Sequence, residues 1–314
     1  NSGAFGLRLT NCTVAENWGE NSGSGIWSDS QVMLANTIVS ANANPINILI
    51  PVNSSVNSSF TAQNGAGLLP LADNGGITPT YALAPSSVAR NTGNNCAVTA
   101  NGCGTSHPAL TTDQRGGSYT RQSGSNVDMG AVEYMPVVSN AASSGAGSFA
   151  QSIADASSGD TIRFEAAFFN TPRTIDLTGG ELVIAKNLDI VGPGVSRLTI
   201  DAGNASRIFS VQSNTTLTVT GVKLTRGAST GIGGCVFTGG VFNFINGEIS
   251  NCSGTHGGAI YSTNTINLVG STVKTNTAQV AGGGIYSDGL FLVTDSIVEE
   301  NSSPSVGGIW NAAD

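Results

Sequence analysis

The chain has 314 residues, a formal net charge of -8, 10% charged residues and 42 glycines. That balance argues against nucleic acid or an anionic membrane surface as a partner. No run of about 18 apolar residues exists, so no transmembrane segment is expected. Abundant Gly, Asn, Ser and Thr beside few helix formers point to a turn-rich, all-β chain.

The first elements are two copies of one pattern. "LRLTNCTVAEN", Leu7 to Asn17, and "VMLANTIVSAN", Val32 to Asn42, are short apolar-alternating runs ending on Asn, with Ser24-Gly25-Ile26-Trp27 between them. Period-2 runs bounded by Gly, Asn and Ser read as strands. The Asn residues lie 25 apart, and a fixed period in the twenties marks stacked coils. Residues 1–45 are therefore expected to be coils of a right-handed parallel β-solenoid. Such coils lie about 4.8 Å apart.

Residues 46–136 break the period and read as an irregular β cap region. A polar loop carries the glycosylation sequons at Asn53 and Asn57. Cys96 and Cys103 sit in a small Gly- and Asn-bounded loop, either as a disulfide, the expected state, or as free thiols. Asp113, Arg115, Asp128 and Glu133 place one Arg among three carboxylates in an apolar frame. A bidentate ion pair fixing the cap is the expected reading, with a Ca²⁺ site as the lesser alternative and catalysis below that. No other cofactor is expected.

Residues 137–232 read as the opening of a second solenoid. Ser148 can cap a short helix from Phe149 to Ala156 with Ile153 on its apolar face. That helix is expected to plug the first coil, because a solenoid end exposes apolar ladders and unpaired backbone. Residues 233–314 then repeat "GGCVF", "GGAIY", "GGGIY" and "VGGIW", with aromatics at Phe237, Tyr261, Tyr286 and Trp310. Ile260, Ile285 and Ile309 are expected to form an apolar ladder. Asn251, Asn276 and Asn301, again 25 apart, are expected to form an amide ladder. Cys12, Cys235 and Cys252 fall on coils and read as small buried apolar residues.

The signatures Asp73-Asn74-Gly75-Gly76, Asp113-Gln114-Arg115-Gly116 and Asp128-Met129-Gly130-Ala131-Val132-Glu133 resemble those of bacterial surface β-helix proteins with a choice-of-anchor domain. The Gly-Gly-Ile-aromatic repeats resemble polymorphic outer-membrane-protein repeats of the same proteins. "SGAGSFAQSIADASSGDTIRFEAAFF" resembles the N-terminal entry of such a domain. The resemblance implies a secreted or surface-displayed bacterial protein, with the domain order rotated in this chain.

The end of the sequence reads into its own beginning, since "GGIWNAAD" followed by "NSGAFGLRLTN" continues the coil pattern. Other copies of the chain are thus the expected partner, head to tail. The junction would join Asn301, Ile309, Trp310 and Asp314 of one copy to Asn1, Leu7, Leu9, Asn17, Ile26 and Trp27 of the next. The expected role is a structural fibre, stalk or adhesin. The alternative is a protein that binds or cleaves surface glycans, which three or more acidic or aromatic residues on one exposed face would support. No catalytic set is expected. His107 and His256 have no neighbouring acid in sequence, Glu248 and Lys274 read as solvated, and Asp295, Glu299 and Glu300 read as one strand with alternating faces.

Overall fold

The computed structural model describes residues 6–20, 23–43, 47–104, 108–117 and 119–312. Asn1, His107 and Asp314 lie outside the described residues. The chain divides into two compact units, Asn1–Tyr134 and Met135–Asp314.

The second unit is a parallel β-solenoid. One sheet takes Val137–Val138, Asp160–Phe164, Leu188–Val191, Thr216–Thr220, Val241–Ile245, Thr265–Val269 and Phe291–Thr294 in sequence order. A second runs from Arg173–Asp176 to Ile297–Glu299, and a third from Leu182–Ile184 to Ile309–Asn311. All pairings are parallel, because each turn brings the chain back in the same direction. Alternate side chains point inward, so Leu217, Phe242, Ile266 and Phe291 stack in register. Inward Leu, Ile, Val and Phe side chains of all three sheets make one continuous core. Each such side chain contributes about 1.5–3 kcal/mol when fully buried.

Each second-sheet strand from Lys223–Thr225 onward is flanked by a pair of left-handed residues five apart. Gly221 and Arg226, Asn246 and Asn251, Gly270 and Thr275, and Asp295 and Glu300 all have φ between 49° and 64°. Asn tolerates this region through local hydrogen bonding, so glycine is needed at only some corners. Asp295 and Glu300 are corner residues and do not share a strand with Glu299, as the sequence had suggested. Glu248 lies between Lys223 and Lys274, at 2.9 and 3.1 Å, forming a charge ladder on the outer surface.

Helix Phe149–Asp155 closes the start of this unit. The Ser148 side chain caps it by accepting the Gln151 N–H. Phe149 and Ile153 are buried in the solenoid core. The Phe149 ring meets Phe164 and Phe209 at centroid distances of 5.6 and 6.3 Å. The expected plug is thus formed by the helix face that the sequence indicated.

The first unit begins with the same coil. Leu7–Thr10, Val32–Ala35 and Ser55–Asn57 form one parallel sheet, Thr13–Ala15 pairs Ile38–Ser40, and Ile26–Trp27 pairs Ile48–Leu49. Its corners repeat the five-residue pair at Asn11 and Glu16 and at Asn36 and Ala41. Coil pairing continues beyond residue 45. Val32 and Thr37 donate to the Ser54 and Ser59 hydroxyls, 22 residues on, so a search at a period of 25 passes over this coil. The remainder of the unit is loops with a 3-10 helix at Asn95–Val98 and short antiparallel bridges, Leu68 to Leu83, Ala72 to Thr80 and Thr112 to Thr120. Among the described residues no helix is long and apolar enough to cross a membrane.

Cys96 and Cys103 form a disulfide, as expected. Cys235 and Cys252 form another, which corrects their reading as unlinked apolar residues. They are 17 residues apart in sequence, yet the solenoid turn brings their Cα atoms to 5.5 Å, inside disulfide range. Closing a loop of this length stabilises by about 3 kcal/mol in the chain-entropy account. Replacing both by serine is therefore expected to speed amide exchange in strands Val236–Thr238 and Glu248–Ser250. Strand Asp160–Phe164, several coils away, serves as the unaffected internal reference.

Candidate functional site

Three side-chain ladders run along the coils, and in the two hydrogen-bonded ones the backbone N–H groups donate in one direction. The first is a hydroxyl ladder at the corner after the first sheet. Gly247 N–H donates to Ser271 Oγ and Ser271 N–H to Ser296 Oγ, both at 3.0 Å. In the first unit Cys12 N–H donates to Thr37 Oγ1 at 3.5 Å and Thr37 N–H to Ser59 Oγ at 3.0 Å. At every rung the side chain also donates to the carbonyl two residues back: Ser271 to Val269, Ser296 to Thr294, Cys12 to Thr10, Thr37 to Ala35 and Ser59 to Asn57. Cys12, the one cysteine outside a disulfide, thus takes the place that Ser or Thr holds elsewhere. Burial pushes its thiol pKa up, opposed by the Thr10 contact and by Arg121.

The second ladder is amide. Asn276 N–H and Nδ2 both donate to Asn301 Oδ1 at 2.9 Å. Asn17 N–H and Nδ2 both donate to Asn42 Oδ1 at 2.9 Å. Asn251 is not a rung. Strand register places Ser250 opposite Lys274, so Asn276 lies opposite Cys252, whose N–H donates to Asn276 Oδ1 at 2.9 Å. This coil is 24 residues long, and an even count of 25 slips the frame by one. Asn251 instead turns the corner at φ 57°, and Thr275 Oγ1 donates to its Oδ1 at 3.3 Å.

The third ladder is aromatic. Phe237, Tyr261, Tyr286 and Trp310 occupy one outward column. Successive ring planes are within 17° of parallel, with centroids 6.3, 5.0 and 6.1 Å apart. The Arg207 guanidinium lies over Phe237 and pairs with Glu181 at 2.9 Å. His256 meets the Tyr286 ring edge-on, and Tyr261 donates its hydroxyl to Asp288 Oδ2. Burial and the Asp288 carboxylate push the Tyr261 phenol above its ordinary range. Beside this column Ile260, Ile285 and Ile309 stack inward as expected.

All three ladders end at the terminal coil, Phe291–Thr294, Ile297–Glu299 and Ile309–Asn311. Ile285 is fully buried, whereas Ile309, one rung on, is 37% exposed. Leu290, Leu292, Val293 and Ile297 are exposed on the same coil. Its outer edge has no partner strand among the described residues. The coil Leu7–Thr10, Thr13–Ala15 and Ile26–Trp27 is the counterpart. Ile26 points inward and is buried, while Trp27 points outward and is 58% exposed. Leu7, Leu9 and Val14 line the core of the first unit.

The four cap residues are brought together, but not as one Arg among three carboxylates. Arg115 pairs bidentately with Asp113 and donates to the Glu133 carbonyl at 2.7 Å. Glu133 pairs instead with Arg121 at 3.1 Å. Asp128 accepts the backbone N–H groups of Asn91 and Tyr134. Sequence reasoning missed Arg121. It is only 1% exposed and also donates to the carbonyls of Asp128 and Gly130 at 2.7 and 3.0 Å and to Asn11 Oδ1. The signal was an Arg seven residues before Asp128 in a stretch otherwise poor in charge. The carboxylate oxygens of this cluster are directed at N–H donors, and among the described residues no group of three or more His, Cys, Asp or Glu side chains is arranged to hold a metal ion.

Burial raises the Glu133 pKa to about 9, against the pull of Arg121 and with the push of Asp128. Burial likewise raises Asp128 to about 6, against its backbone hydrogen bonds and Arg121. Both folded values lie above the ordinary 4.5 and 3.8, so the folded cap binds more protons than the unfolded chain. Its stability is then fullest on the acid side and is lost as pH rises through about 6 and on towards 9. The first unit is expected to melt at a lower temperature at pH 9 than at pH 5.

No family model, curated protein or solved structure matches the chain.

Proposed function

We propose that this chain is a structural protein of the cell exterior, one segment of a fibre, stalk or adhesin built by end-to-end stacking of β-solenoid copies. The observation that carries the reading is the terminal coil: its apolar ladders and strand edge continue the solenoid in form but are left open at Val293 and Ile309. Open strand edges are templates for pairing and are normally blunted. The copies are either separate chains or repeats of one longer chain. Two disulfides support an oxidising compartment, and the resemblance to bacterial surface β-helix proteins supports display outside the cell. The reading assigns no catalysis and no cofactor.

The aromatic column favours the second reading, a glycan-binding surface. Its geometry weighs against that role. Sugars stack on ring faces, and the faces of Tyr261 and Tyr286 are turned to their neighbours in the ladder.

Negative-stain microscopy of native material, followed by boiling in SDS and electrophoresis, tests the proposal. Filaments that resolve to a band near 32 kDa indicate separate subunits. Filaments with only very large bands, and a digest peptide spanning "GGIWNAADNSGAFGLR", indicate one tandem chain. Absence of filaments overturns the reading and brings the glycan surface forward.

A further inference from the structure

The hydrogen-bond ladders restrict what the open coil can accept. In both units the backbone N–H of an earlier coil donates to a side-chain atom of the later one. At the terminal coil the next donors in line are the N–H groups of Ser296 and Asn301. Neither has a partner among the described residues. The next acceptors of matching type are Cys12 Sγ and Asn17 Oδ1 of the first coil, and Asn17 Oδ1 likewise has none. Corner residues agree as well: Asp295 and Glu300 stand at φ 49° and 52°, Asn11 and Glu16 at 53° and 56°.

We propose that the face completing the terminal coil is the first coil of a second copy of this chain, docked with Ser296 beside Cys12, Asn301 beside Asn17 and Trp310 beside Trp27. This rests on the stacking reading and fixes its partner, register and polarity. The aromatic column continues from Trp310 to the exposed Trp27, and Ile309 is covered by Ile26. The inward faces agree too, with Phe291, Val293 and Val298 meeting Leu7, Leu9 and Val14. In the hydroxyl and amide ladders the backbone N–H faces the later coil, so two terminal coils set face to face bring no matching side-chain acceptor to Ser296 or Asn301. Head-to-tail joining supplies those acceptors at both ladders in the same register.

A single substitution tests the register. Neighbouring coils place matched Cα atoms about 4.8 Å apart, inside the range for a disulfide. Cys12 is the one cysteine outside a disulfide. The Ser296→Cys chain is oxidised gently with O₂ and a copper–phenanthroline catalyst, then run unreduced in SDS. Expected is a series of covalent dimers, trimers and higher oligomers, with a peptide joining position 296 to Cys12. Adding Cys12→Ser removes the series. A Thr294→Cys chain, two residues out of register, cross-links at least ten times more slowly. Glu299→Cys with Ala15→Cys, in a Cys12→Ser background, reads the same register on the second sheet should Ser296→Cys disturb the coil.

The outcomes separate the two claims. If the unsubstituted chain assembles but neither matched pair links faster than the shifted one, the register is overturned and stacking stands. If the unsubstituted chain does not assemble, the stacking reading falls and this inference with it. A chain-sized product carrying the 296-to-12 linkage also overturns the proposal, since the partner coil would belong to the same chain.

Discussion

Replacing Arg121 with methionine is expected to unfold the unit Asn1–Tyr134 and leave Met135–Asp314 folded. The guanidinium is 1% exposed and holds the Glu133 carboxylate, two carbonyls and the Asn11 side chain. Removing the guanidinium leaves the Glu133 carboxyl, the two carbonyls and the Asn11 amide oxygen buried without their donor, at about 1–3 kcal/mol for each group left unsatisfied. Together these approach the whole stability of a small domain. The double variant Arg121→Met, Glu133→Gln separates charge from packing. It removes the ionisable carboxyl and is expected to regain part of the loss above about pH 9, where Glu133 is charged, and little at pH 7. The checks are denaturant unfolding of the first unit, followed by near-ultraviolet circular dichroism, and amide exchange at Val32–Ala35.

The second large effect is expected at the plug of the other unit. Phe149→Ala removes a fully buried ring that packs on Phe164 and Phe209. Large-to-small changes of this kind cost about 3–5 kcal/mol. In a stacked-coil protein the loss is local, since each coil contacts only its neighbours. Exchange is therefore expected to quicken at Asp160–Phe164 and Leu188–Val191 and to remain slow at Thr265–Val269. Ser148→Ala, which removes only the helix cap, is expected to have a smaller effect of about 1 kcal/mol.

What could be read from the sequence was set by period and alternation. The ladder of Ile260, Ile285 and Ile309 and the helix after Ser148 follow from side-chain spacing alone, so they were legible. The amide ladder was legible at Asn17, Asn42, Asn276 and Asn301, where coils are 25 residues long. It failed at Asn251 because one coil is shorter by a residue, and a corner Asn and a ladder Asn look alike in sequence. The coil at Ser55–Asn57 was hidden by its 22-residue spacing. The Cys235–Cys252 bond depends on where two turns meet, which residue order does not display. Arg121 was passed over in favour of Arg115. Both lie near the acidic motifs, and only the fold decides which guanidinium Glu133 reaches.

The most direct test of the central claim, that the terminal coil is completed by another copy, is amide hydrogen exchange of the 314-residue chain over a range of concentrations. Stacking predicts that protection at Ser296, Asn301 and Ile309–Asn311, and at Leu7–Thr10, rises with concentration. Interior strands such as Val241–Ile245 should stay equally protected throughout. Terminal-coil amides that exchange freely at every concentration, while the interior remains protected, would contradict the account.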